Sequence, residues 1–198
     1  MTTCECADDV CAADPADLLL ADLCLNELSK NVEGELTPLA AEPHDCREHD
    51  CRTLTVEHLL RLKIDQFDCD SEVGRLFSGE LVSKDLTTVH VDGNGENRGL
   101  HAATFRWRSA AGTVVGRLSG MTNEGTHREP YFRPCQRCDE RGVMEGRLCG
   151  RLRRPAEPRL ADAQVFAAYR LRFEPSSSGG SGAVQGTLEG LVVRTCKP

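Results

Sequence analysis

The spacing of hydrophobic positions changes about a third of the way along the chain. In DPADLLLADLCLNELSKNV, Leu18, Ala21, Leu25, Leu28 and Val32 recur every three or four residues. Asp14 is placed to cap and Pro15 to open the first turn, so the pattern predicts a helix near residues 15–31. Cys24, set among these leucines, reads as a small buried hydrophobe. Residues 33–52 are acidic and punctuated by proline, and are expected to be irregular. TVEHLLRLKIDQF supports two readings. Thr55 can cap a helix running to Lys63, whereas Leu60, Leu62 and Ile64 alternate as in a strand; the helix is the preferred reading.

From about residue 75 the period becomes two. RLFSGELVS, LTTVHV, LHAATFRWR, TVVGRLSGMT, GVMEGRLCGRL, AQVFAAYRLRF and AVQGTLEGLVV all read as strands, separated by turn-forming stretches such as DGNGENRG, SAAG and EPSSSGGSG. The clearest is 165–173. Val165, Ala167, Tyr169, Leu171 and Phe173 make one face and Arg170 and Arg172 the other, a strand with one dry side. FSGELVS, VVGRLSG, MEGRLCG and VQGTLEG share one frame, with glycines at 79, 116, 146 and 186 on the same face as a leucine. Glycine inside a strand costs stability, so its recurrence at equivalent places points to tight coiling, as in a small closed barrel. The expected architecture is therefore mainly β: an antiparallel β-barrel or sandwich of about seven strands over 75–198. Residues 1–74 are expected to form an acidic, cysteine-rich N-terminal arm with one or two helices. The run from Phe105 to Phe173, with GVMEGRLCG followed by VFAAYRLRF, loosely resembles the allene oxide cyclase and dirigent barrels over about a third of the chain. Met144 stands where those families carry an aromatic. The resemblance implies a barrel, and no functional residue is carried over from it.

Charge is unevenly divided. Residues 1–75 carry a net charge of −12 and residues 76–198 a net of +5, so the two parts can attract each other or a charged partner. An acidic arm that contacts another copy or a protein partner is the expected interaction. Arginine dominates the bases of the second part, but no basic motif interleaved with aromatics accompanies it, which argues against nucleic acid. No stretch approaches the ~20 apolar residues of a membrane span. The opening MTTCECADDVCAADP has neither a basic nor an apolar leader region, so a cytoplasmic protein is expected.

Eleven cysteines in a reducing compartment point to metal ligands or redox thiols before a disulfide framework. Cys135 and Cys138 form a C-x-x-C knuckle; with Cys149 on the polar face of its strand and His127 upstream, they assemble a Cys3His set suited to a structural zinc. A disulfide or inert thiols are the alternatives, since a second C-x-x-C is missing. HDCREHDC supplies His44, Cys46, His49 and Cys51, a cramped set that Cys4, Cys6 or Cys11 could complete as a second metal site or that a disulfide could close. His101 shares a strand face with Ala103, Phe105 and Trp107, and so points into a core or lumen. With Tyr169 it could serve general acid–base chemistry. No nucleophile elbow, phosphate loop, dinucleotide fingerprint or H-E-x-x-H is present. The expected function is binding or assembly by a zinc-stabilised β-domain. A cyclase- or isomerase-type barrel enzyme using His101 and Tyr169 is the second reading, and a soft-metal or redox protein built on the N-terminal cysteines the third.

Overall fold

A computed structural model describes residues 23–45, 52–66, 70–91, 97–123, 142–174 and 181–196, with backbone alone at 40–45, 52–54, 89–91, 97–98 and 123. Eight antiparallel strands close into one barrel in chain order: β1 (Leu23–Asp45), β2 (Arg52–Gln66), β3 (Gly79–Val91), β4 (Asn97–Ser109), β5 (Gly112–Asn123), β6 (Val143–Arg153), β7 (Gln164–Glu174) and β8 (Gly182–Thr195). The barrel expected from the second part of the sequence is present, with eight strands instead of about seven. β1 and β2, within the stretch read as an arm, are strands of the same barrel.

Two local features hid these strands. In β1 the inward positions are Leu28, Lys30, Val32, Gly34 and Leu36, and the lysine breaks the apolar alternation that marks a strand. Residues 23–31 are thus strand, not the second half of a helix, and Cys24 is bridged to Cys196 instead of packing as a free hydrophobe. In β2 the alternating set Val56, His58, Leu60, Leu62 and Ile64 is buried, and the helix expected over 55–63 is absent. Beyond Leu36, β1 has β2 as its sheet neighbour but no longer β8, and Pro38 and Pro43 lie in that one-sided stretch. Proline is tolerated there because an edge has no second ladder to break.

Following the register around the barrel from Lys30 through Leu188, Tyr169, Gly146, Gly120, His101, Thr87 and Val56 returns to β1 at Ala41, eleven residues further on. That stagger, with the one bulge between Pro38 and Ala40, corresponds to strands tilted by about 35–45° to the barrel axis. Such coiling brings inner faces close, which explains the recurrent Gly-x-Leu frame. Leu81, Leu118, Leu148 and Leu188 all point inward and are buried, while Glu80, Arg117, Arg147 and Thr187 point out.

One end of the barrel has an apolar floor. A single-turn helix, α1 (Glu72–Arg75), bridges β2 and β3, capped by the Ser71 hydroxyl that accepts from Gly74 N–H at 3.0 Å. Phe77 follows it and meets Trp107 edge-on, with ring centroids 5.8 Å apart. Leu160 of a 3-10 turn (Pro158–Leu160) and Ala111 of the β4–β5 turn complete the layer. Backbone bonds from Ala111 to Leu76 and from Ala156 to Ala111, each 2.9 Å, tie the three connections together. The β1–β2, β3–β4, β5–β6 and β7–β8 connections all leave from the opposite end.

Candidate functional site

The polar side chains of the interior lie above the floor, in the middle of the barrel and towards the other end. On β3 the inward positions after Leu81 are Ser83, Asp85 and Thr87, all at most 2% exposed. His58 of β2 is directly opposite Asp85, and His101 of β4 directly opposite Thr87. Thr122 of β5 and Tyr169 of β7 complete the band.

His101 and Tyr169 face each other across two strands that offer no side chain. The inward row from His101 runs through Gly120 and Gly146 to Tyr169. With nothing between them, the Tyr169 ring lies over Gly146 and its hydroxyl forms a short hydrogen bond with His101 Nε2. A Cβ at Gly146 would collide with that hydroxyl and with the Ser119 carbonyl. The bond can be wired two ways: the phenol donates to a neutral imidazole, or the imidazole N–H donates to the phenol oxygen. Tyr169 keeps its proton in both. Burial pushes its hydroxyl well above the ordinary phenol range, and the nearby Asp85 carboxylate adds to the effect.

Three hydroxyls of this band, Ser83 Oγ, Thr87 Oγ1 and Thr122 Oγ1, are buried without a hydrogen-bond partner among the described residues. Leaving such a group unsatisfied costs about 1–3 kcal/mol, so together they favour a polar guest that would bond to them.

A second buried polar group belongs to the floor. Lys30 Nζ donates to Asp70 Oδ2 at 2.5 Å and to Ser78 Oγ at 3.2 Å, while Asp70 Oδ1 accepts the Ser29 N–H at 2.8 Å. Both ion-pair side chains are fully buried, and together they clamp the segment before α1 onto β1.

The structure therefore brings His101 and Tyr169 together. Cys149 lies on the outer face of β6, as expected for its strand, but is buried there opposite Arg117 and Phe166. Cys135, Cys138 and His127 lie outside the described residues, as do Cys46, His49, Cys51, Cys4, Cys6 and Cys11. His44 contributes a backbone position opposite Thr53. Among the described residues no three His, Cys, Asp or Glu side chains converge as a metal cage. Sequence reading missed His58, Ser83, Asp85, Thr87 and Thr122. Their signal was parity: each shares its inward face with core residues, such as Leu81 for β3 and Leu60 for β2.

No family model, curated protein or solved structure matches this chain. The likeness to allene oxide cyclase and dirigent barrels is thus one of strand pattern, and the site must be read from its own geometry. No helix among the described residues is long and apolar enough to cross a membrane. The barrel wall is also the reverse of a lipid-facing one, with charged residues outside and apolar ones within.

Proposed function

We propose that the barrel interior is a proton-transfer site for a small, uncharged, carbonyl-bearing molecule, acting in the manner of an isomerase or cyclase. The observation that carries this reading is the His101–Tyr169 pair held over two glycines, beside three buried hydroxyls without partners. A phenol that stays protonated is suited to donate to a carbonyl oxygen, stabilising the negative charge that develops when a neighbouring C–H is deprotonated. His101 would orient Tyr169 and return its proton. Asp85, opposite His58, supplies a carboxylate and an imidazole at the right depth to serve as base. An uncharged ligand suits the site because a charged one would have to be desolvated on entry. The test is solvent exchange: a panel of small ketones and enones is incubated with the protein in deuterated buffer and analysed by mass spectrometry. Deuterium incorporation beside the carbonyl, lost in Tyr169→Phe and His101→Gln variants that keep the wild-type circular dichroism, supports the site. Failure of every compound to bind or exchange would sink it.

As a second reading we propose a binding or assembly protein whose β-domain is stabilised by zinc through Cys135, Cys138, His127 and Cys149. What favours it is connectivity: the β5–β6 connection, with His127, Cys135 and Cys138, leads directly into β6, the strand that carries Cys149. Against the Cys149 ligand stands its position, six residues into β6 from Val143. Native mass spectrometry with and without chelator decides this reading. One tightly held zinc supports it, and a metal-free chain with Cys135 and Cys138 open to alkylation ends it. The Cys24–Cys196 bridge fits oxidising surroundings better than the cytoplasm expected from the sequence.

A further inference from the structure

Four arginines cross the outer wall of the barrel in a regular diagonal. Arg106 of β4 faces Val115, and Arg117 lies two residues beyond that partner towards the loop-bearing end. Arg117 faces Cys149, two residues from Arg147; Arg147 faces Ala168, two residues from Arg170. Diagonal neighbours of this kind stand roughly 7–8 Å apart, so the four guanidinium groups form a line across four strands. Arg117, Arg147 and Arg170 line an open groove of about 1520 Å³ on the outer wall, with Leu100 and Met121 beside them 63% and 56% exposed. A smaller depression of about 420 Å³ holds Arg106 and continues the groove past Thr104. Arg170 is bound to Glu145 at 3.1 Å, whereas Arg106, Arg117 and Arg147 enter no ion pair among the described residues.

We propose that this groove is the docking site of the chain's own acidic segment, residues 1–22. The segment has six carboxylates, no lysine or arginine, and a Leu18–Leu20 run, which matches a groove with guanidinium groups and exposed apolar side chains. It joins the barrel at Leu23, which pairs with Thr195 of β8, and β8 forms the near edge of the groove through Thr187 and Glu189. Fully extended, it would reach roughly 70 Å, more than enough to cross the wall. Nucleic acid fits less well. No outward aromatic side chain lines the groove for bases to stack on. The groove's lining also includes His101 and Tyr169 of the interior site, but the inference rests on the outward arginines and uses no step of the chemistry proposed there.

Arginine-selective modification of the full-length protein with phenylglyoxal, mapped by mass spectrometry, tests it. The exposed Arg153, which lies outside the groove, serves as the internal reference. At low salt Arg117 and Arg147 should react roughly fivefold more slowly than Arg153, the scale of a tethered segment held by a few exposed ion pairs. The difference should vanish at about 1 M salt and in the variant Asp8→Asn, Asp9→Asn, Asp14→Asn, Asp17→Asn, whose changes leave the barrel untouched. Equal reactivity at low salt overturns the proposal. Protection that survives the asparagine changes also overturns it, and two controls then name the occupant: loss on nuclease treatment means nucleic acid, and loss on dilution in step with dimer dissociation means a second copy.

Discussion

The phenol of Tyr169 sits where the wall has been cleared for it, because two neighbouring strands carry glycine at the same level. Gly146 is the critical one. Gly146→Ala should cost roughly 1–3 kcal/mol as an overpacking change and should displace the Tyr169 hydroxyl from His101. Gly150→Ala, whose new methyl meets the Val114 and Phe105 side chains at 2.7 and 2.9 Å and the Val115 carbonyl only at 3.1 Å, should cost less than a change that drives a Cβ into a backbone oxygen. Urea midpoints of the two variants check the order. The titration of Tyr169 makes a second prediction. Its folded pKa is raised by burial and by Asp85, so the unfolded chain loses this proton first as pH climbs. The stabilisation is fully present below about pH 10 and falls above it, by up to ~1.4 kcal/mol per pH unit. Tyr169→Phe removes that part of the alkaline slope whatever it does to stability at neutral pH. Melting curves between pH 8 and 11 (both proteins, one buffer series) show whether the slopes differ; parallel curves would contradict the buried, protonated phenol.

Among the elements, α1 depends on the strand it caps. Asp70 holds Lys30 and the Ser29 N–H at once, and the Ser71 hydroxyl donates to the Glu27 carbonyl at 2.8 Å beside it, so the floor is fastened to β1 with Asp70 as its charged anchor. Removing one partner strands the other charge: Lys30→Met or Asp70→Asn alone should lose about 3–5 kcal/mol. The double change should lose clearly less than the sum, because no uncompensated charge remains. Simple additivity in urea unfolding would show that the pair is not coupled. The same lysine explains which strands could be read from the sequence. From β3 onward, apolar and polar residues alternate cleanly and glycine recurs in register with leucine, so the barrel and the inward facing of His101 and Tyr169 were legible. β1 was not, because its inward row contains Lys30, whose partner Asp70 lies forty residues away. β2 was half legible: the alternation of Leu60, Leu62 and Ile64 competes with a helical spacing, and only the pairing with β1 and β3 decides between them. The band around Asp85 stayed hidden because a polar residue at an inward position carries no sign of what it faces.

Across the whole molecule, charge is segregated around the wall as well as along the chain. Outward acids on β1, β2 and β3 include Glu33, Glu35, Asp65 and Glu80, and several are offset locally, as where Lys63 binds Glu33 at 3.3 Å and Asp65 at 3.0 Å. β4 to β7 carry most of the strand arginines. The barrel closes at one seam, where the first strand, β1, pairs with the last, β8. At the floor end that seam is stapled by Cys24–Cys196, across a sequence separation of 172 residues. Linking positions so far apart restricts the unfolded chain strongly, by about 5 kcal/mol on the loop-entropy view. Reduction should therefore lower the urea midpoint of the wild type, and Cys24→Ser/Cys196→Ser should show the lowered midpoint without reductant and no further change with it. The loss should be global, because opening β1 from β8 exposes the inward row that holds both Lys30 and, across Leu188, Tyr169. Fluorescence of Trp107, on the floor, and the near-ultraviolet signal of the tyrosines should then fall in one transition. A wild type whose midpoint ignores reductant would mean that the ladder alone holds the seam.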